Sequence, residues 1–204
     1  MNDSGFLAST YVGAPVNTGE WLRRIDSAGR IATIAGSGTY GLLGVGGDAL
    51  SAQLALPYSL AARASGTVLV GEAGGNRVVE IEPGGRLLVL AGRPSGILSI
   101  FAGDGGPALD ARFHGAEGLA EDADGKVFVA DFRNARIRLV DSLGSVITVA
   151  GNGASVATGQ PFGDGPGALA RVGCPAALAI DAAGHVYFPD LLADRVRVLT
   201  PVPY

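Results

Sequence analysis

Apolar and polar positions alternate over short runs along the chain, and each run stops at a turn rich in glycine, proline or asparagine. Val-Phe-Val-Ala-Asp (127–131) and Arg-Ile-Arg-Leu-Val (136–140) show the type: β-branched and aromatic residues at strand length. The runs come in groups of four. Over 60–92 they fall at Leu60–Ala64, Thr67–Glu72, Arg77–Glu82 and Arg86–Leu90. Ala64-Ser65-Gly66, Ala73-Gly74-Gly75 and Pro83-Gly84-Gly85 separate them, which predicts antiparallel neighbours joined by tight turns.

The groups themselves repeat. Gly66, Gly125 and Gly184 lie 59 residues apart, as do Arg77, Arg136 and Arg195, and Leu60, Leu119 and Leu178. Ala-Gly pairs end at Gly36, Gly92 and Gly151, and an aspartate beside glycine recurs at Asp48, Asp104 and Asp164. Four antiparallel strands at this period describe a β-propeller blade. A solenoid would need shorter repeats without return hairpins, and a sandwich would not repeat itself. The frame assigns a partial blade to 3–36, blades to 60–92 and 119–151, and a partial blade to 178–200. Long links occupy 37–59, 93–118 and 152–177. The fold expected is all-β, with about four blades, two of them complete and two lacking one strand. The two ends cannot complete one blade between them, so the arc is expected to be a partial ring: a fragment of a longer gene, or a unit that needs another chain. Uncapped repeat ends predict self-association. Within the first link, Asp48 is placed to cap a short helical turn over 48–54.

The stretch Val127–Asp141, Val-Phe-Val-Ala-Asp-Phe-Arg-Asn-Ala-Arg-Ile-Arg-Leu-Val-Asp, resembles the NHL-repeat family. The link Gly-Asp-Gly-Gly-Pro-Ala-Leu-Asp-Ala-Arg-Phe (103–113) is similar to the connection in long bacterial-type NHL repeats, which teneurin-like propellers also use. Gly163–Val172 is similar again. The resemblance covers nearly the whole chain. It implies a propeller, about six blades in relatives, and an extracellular or periplasmic setting. It also implies binding scaffolds more often than enzymes.

Composition narrows the function classes. The 204 residues are 48% hydrophobic and 17% charged, enough to bury a core. Glycine accounts for 33 of them, as many tight turns require. A net charge of −4 and a single lysine, Lys126, argue against a nucleic-acid face and a phosphate loop. One cysteine, Cys174, excludes an internal disulfide and a cysteine-rich zinc site, and its apolar context predicts a buried, inert thiol. No apolar run nears the ~20 residues of a membrane span. The start, Met-Asn-Asp-Ser-Gly-Phe-Leu, has no signal-peptide pattern, so the residues alone leave the compartment open.

Strand alternation puts the hairpins Glu72–Arg77, Asp131–Arg136 and Asp190–Arg195 on the same face as the long links, the expected binding surface. The repeated acid–arginine pairs read as exposed hairpin-closing ion pairs, each worth ~0–1 kcal/mol. Asn76 and Asn134 read as turn residues that tolerate left-handed backbone. Departures from the repeat are where function is expected. His114 aligns with Ala55 and Gly173. Trp21 aligns with Arg77, Arg136 and Arg195 and follows a long hairpin loop, Val12–Glu20. With Asp104, Phe113 and Arg133 they make the candidate binding set. His185, the other histidine, falls on the opposite face, so the two cannot share a metal. Inner-strand acids Glu121, Asp122 and Asp181 are the candidate metal set of a propeller enzyme. Calcium (Ca2+) in the Gly-Asp-Gly links has only one carboxylate, Asp164, to hold it over 163–167, and a turn role is preferred. No cofactor is otherwise implied. The function expected is a non-catalytic scaffold that recognises a protein, peptide or glycan on the link-bearing face. The alternative is a lyase- or lactonase-like enzyme with a metal in the central channel.

Overall fold

The computed structural model describes residues 6–10, 20–93, 101–154 and 163–200, the first five by backbone alone. The Asp3–Gly5 turn, most of the Val12–Glu20 loop, and 94–100 and 155–162 of the links lie outside the described residues.

Four antiparallel sheets follow one another. The first holds β1 (Phe6–Thr10), β2 (Trp21–Ile25) and β3 (Ile31–Ala35). The second holds β4 (Pro57–Ala62), β5 (Val68–Glu72), β6 (Arg77–Ile81) and β7 (Leu87–Ala91). In the third, β9 (Ala116–Glu121), β10 (Val127–Asp131), β11 (Arg136–Val140) and β12 (Ser145–Ala150) are joined at the outer edge by the two-residue strand β8 (Gly106–Pro107). The fourth holds β13 (Ala179–Ile180), β14 (Val186–Asp190) and β15 (Arg195–Leu199). The strands β4, β9 and β13 pack together on the hub side. The architecture is an all-β propeller arc, and among the described residues no sheet closes on itself.

Alternation decides which faces pack. Leu69, Val78, Leu119, Val127, Val129 and Phe113 fill the space between sheets two and three. Leu22, Leu54, Val70, Val79 and Leu87 do so between one and two, and Ile137, Val172 and Phe188 between three and four. Each outer strand ends in a buried alanine, Ala35, Ala91 or Ala150, followed by a glycine with φ of +98°, +95° or +89°. A Cβ on those glycines would run into the carbonyl of Glu20, Asn76 or Ala135, so backbone approaches backbone there.

Four turns on the face away from the links share one device. Asp26, Asp122, Asp141 and Asp181 each accept, through Oδ1, the N–H groups two and four residues on, at 2.8–3.0 Å. In the first link the expected turn forms as a single 3-10 turn, Ala49–Ser51, with Asp48 accepting Leu50 N–H at 3.1 Å. Ala108–Asp110 and Gly167–Leu169 repeat it. The links are not free loops, however. Gly46 N–H donates to Leu87 O at 2.7 Å, and Gly105 N–H donates to Val146 O at 2.7 Å. The first two links thus clamp the outer strand of the sheet that follows and cover its edge.

Candidate functional site

The repeated hairpin acids prove to be buried latches. Ala55 N–H donates to Glu72 Oε1 at 2.8 Å, His114 N–H to Asp131 Oδ1 at 2.8 Å, and Gly173 N–H to Asp190 Oδ1 at 2.9 Å. One carboxylate in each of sheets two, three and four therefore ties down the last turn of the incoming link. All three acids are fully buried, so the expectation of exposed pairs is corrected. Two of the expected partners are corrected as well. Glu72 does pair with Arg77. Asp131 instead pairs with Arg138 at 3.5 Å and accepts from Asn134 Nδ2 at 2.9 and 3.0 Å, and Asp190 pairs with Arg197 at 3.0 Å. Positions 136 and 138 share a strand face, so either can serve. Sheet two has Val79 where sheet three has Arg138, and there the longer Glu72 meets Arg77. Arg136 caps its own hairpin through the carbonyls of Asn134 and Asn152, both at 2.9 Å, and stacks on Phe101 at 3.7 Å, while Arg195 is exposed.

Three members of the candidate binding set have structural duties. Asp104 pairs with Arg138 at 3.0 Å, as Asp164 does with Arg197 at 3.1 Å, so each arginine joins a hairpin acid to a link acid. Phe113 is fully buried between sheets two and three and presents nothing to a ligand. Trp21 is half-buried with its ring against Gly38, covering the first link.

The other two stay at the surface and are joined by residues the repeat frame had not singled out. Arg133 is exposed, and its N–H donates to His114 O at 2.9 Å. The His114 ring is half-buried. Burial and then the Arg133 charge hold its pKa below the ordinary value, so it is neutral at pH 7. Glu117 is the bulge residue of β9: the pairing steps from Ala116–Asp131 to Gly118–Ala130 and leaves it unopposed. Tyr58 is the bulge residue of β4 in the same way and is 61% exposed. A bulge re-aims its side chain, and the Glu117 carboxylate lies beside Gly115 and the Arg133 charge at the link-bearing end. Burial raises the pKa of Glu117, and Arg133 offsets part of the rise. Cys174 adjoins the group. Burial, Asp190 and Glu117 all raise its pKa, so the thiol stays protonated. Tyr58, Glu117 and Ala176 are equivalent positions, so the departure was visible in the repeat.

A second departure lies beside this group. The residue before β6 reaches across to the next sheet: Asn76 Oδ1 accepts Gly115 N–H at 2.8 Å. Glu20 accepts Leu56 N–H in the matching place. Between sheets three and four that position is Ala135, which has no side-chain oxygen to offer Cys174.

The candidate metal set does not converge. Glu121 pairs with Arg63 at 2.8 Å, and Arg63 with Glu80 at 3.1 Å, across a cleft of about 400 Å³ between sheets two and three. Asp122 is spent on its own turn. Asp181 accepts from His185 and Tyr187, and these bonds pull its pKa down to about 2. Among the described residues no three His, Cys, Asp or Glu side chains are grouped to hold a metal.

No family model matches the chain. Over 102 residues, 45% of this chain, it is 33% identical to human teneurin-4, of which it spans 4%. Teneurins contain NHL repeats. By sequence the chain is thus similar to part of an NHL-repeat protein. Solved structures share the fold. A structural genomics protein of unknown function from Bacteroides thetaiotaomicron has a TM-score of 0.64 at 22% identity, over 87% of this chain and 44% of that one. An auxiliary nutrient binding protein from Bacteroides ovatus has 0.61 at 17%, over 90% and 43%. A streptogramin B lyase has 0.50 at 13%, over 97% and 59%. The chain therefore spans less than half of the two Bacteroides proteins. None of its described helices is long and apolar enough to cross a membrane.

Proposed function

We propose that this NHL-type arc is a non-catalytic recognition scaffold that binds a protein, peptide or glycan on its link-bearing face. The contact is centred on Tyr58, His114, Glu117 and Arg133. The observation that carries this reading is the pair of β-bulges that turn Tyr58 and Glu117 out of adjacent hub-side strands. An exposed aromatic ring, an unpaired-strand carboxyl of raised pKa, a neutral imidazole and a surface guanidinium supply stacking, donors and acceptors on a rigid frame. The buried acids and arginines around them are occupied in latches, which favours recognition over turnover. The Bacteroides ovatus neighbour is itself named for binding.

The test is a tagged full chain applied to peptide and glycan arrays, with positives measured by calorimetry. Tyr58→Ala and Glu117→Ala are each expected to weaken binding about tenfold. Leu143→Ser, at a 90%-exposed turn on the other face, should leave it unchanged. Binding indifferent to both hub-side substitutions, or turnover of a bound compound, would count against the proposal.

A further inference from the structure

In sheets one to three the outer strand is followed by glycine and then by a residue whose backbone N–H is tied to the link. Ser37 N–H donates to Ala52 O at 2.7 Å, Arg93 N–H to Ala111 O at 2.8 Å, and Asn152 N–H to Ala170 O at 3.1 Å. The backbone is anchored alike three times, but only the third copy carries a side-chain amide there, with glycine after it. Asn2, Asn17, Asn76 and Asn134 precede Asp, Thr, Arg and Ala, so Asn152-Gly153 is the one Asn-Gly step in the chain. Asn152 is exposed.

A carboxamide followed by glycine can close on the next backbone nitrogen, because glycine has no Cβ to obstruct the approach. The surroundings favour that closure. Among the described residues Gly153 N–H donates no hydrogen bond. The Arg136 guanidinium lies against Gly153, where a Cβ would fall inside it. A positive charge beside an N–H eases the loss of its proton. Ala154 N–H donates to Asn152 Oδ1 at 2.9 Å, the atom that gathers negative charge when the carboxamide carbon is attacked. Arg136 Nη2 also donates to Asn152 O at 2.9 Å and polarises that backbone carbonyl.

We infer that Asn152-Gly153 is a self-modifying site that loses ammonia and becomes isoaspartate. Gly153 N bonds to Asn152 Cγ and the Cγ–Nδ2 bond breaks. The Gly153 proton passes through solvent to the departing nitrogen, which leaves as ammonia. The cyclic imide then adds water. Addition at Cγ restores the normal backbone with aspartate. Addition at the backbone carbonyl carbon breaks its bond to Gly153 N and frees the α-carboxylate, which is isoaspartate. Arg136 already holds that carbonyl oxygen, so it directs water there and becomes the counter-ion of the new carboxylate. The change removes the Nδ2 donor that reaches Leu169 O at 3.3 Å, so the joint between sheet three and the third link loosens irreversibly with time. None of the hub-side residues takes part, so this site and the binding face stand or fall separately.

The test incubates the full chain in mildly alkaline buffer and maps its peptides by mass and by isoaspartate content. We expect amide-to-acid conversion at position 152, isoaspartate as the main product, and Asn76 and Asn134 unchanged. The folded chain should convert about fivefold faster than the same chain held in guanidinium chloride, where only the Asn-Gly step remains. Arg136→Gln should slow the folded chain and lower the isoaspartate share, and Arg136→Lys, which keeps the charge, should restore part of both. A folded chain that converts no faster than the denatured one would overturn the inference, and that comparison needs no variant to fold. So would an isoaspartate share that a folded Arg136→Gln chain leaves unchanged.

Discussion

At the residue scale, backbone geometry leaves two positions out of step with their side chains. Ala135 occupies left-handed space with φ of +52°, where alanine is strained by ~1–2 kcal/mol and asparagine is better tolerated. Its counterparts Asn76 and Glu20 accept the N–H of the facing turn, and Ala135 cannot. Ala135→Asn should relieve the strain and add the bond to Cys174 N–H. We expect ~1 kcal/mol of added stability, read from denaturant midpoints at constant m-value. A destabilised variant would show that the interval between sheets three and four does not admit the bond. Asp131 is the second position. Burial, outweighing His114 N–H, Asn134 and Arg138, lifts its carboxyl from 3.8 to about 6. The unfolded chain gives up this proton near 3.8, so folding takes up a proton between the two values. The contribution is complete below 3.8 and is lost as pH rises through about 6. Asp131→Asn should therefore flatten part of the fall in melting temperature between pH 4 and 7. Parallel melting curves for the two proteins would contradict it.

At the element scale, the hairpin latch has two solutions in one molecule. Sheet two uses Glu72 with Arg77 and Val79, while sheet three uses Asp131 with Arg138. Removing one partner of a buried pair costs ~3–5 kcal/mol, so Arg138→Val alone should destabilise by about that much. Asp131→Glu on the same background recreates the sheet-two pattern, with Arg136 in the role of Arg77. The double variant should recover at least half the loss, a coupling visible in a double-mutant cycle. No recovery would mean the latch depends on Asp104 and the Phe101 stack rather than on the hairpin acid. The same elements show what a sequence can and cannot disclose. Strand positions were legible to within about three residues, because alternation and turn residues encode them locally. The recurring acids were legible too, since they keep the frame. Their partners were not: two arginines on one strand face are equivalent until the chain is folded. Burial of Phe113 and Asp104's pairing depend on where the links lie, and no local pattern states that. Glu117 was within reach, because Tyr58, Glu117 and Ala176 break the repeat together, but only the bulge reveals that the departure faces a ligand surface.

At the scale of the whole molecule, stability should be shared unevenly along the arc. Each sheet buries its faces only against neighbours, so cohesion is close to a sum of interfaces. Those interfaces are unequal. Among the described residues, sheets two and three enclose twelve buried apolar residues, sheets one and two enclose nine, and sheets three and four enclose four. Sheet four adds a two-residue inner strand, and among the described residues it has three strands where sheet two has four. Opening free energy should follow that order, with β5, β6, β10 and β11 exchanging their amide hydrogens slowest and β13–β15 fastest. Exchange that is uniform over the four sheets would mean the arc unfolds as one cooperative body.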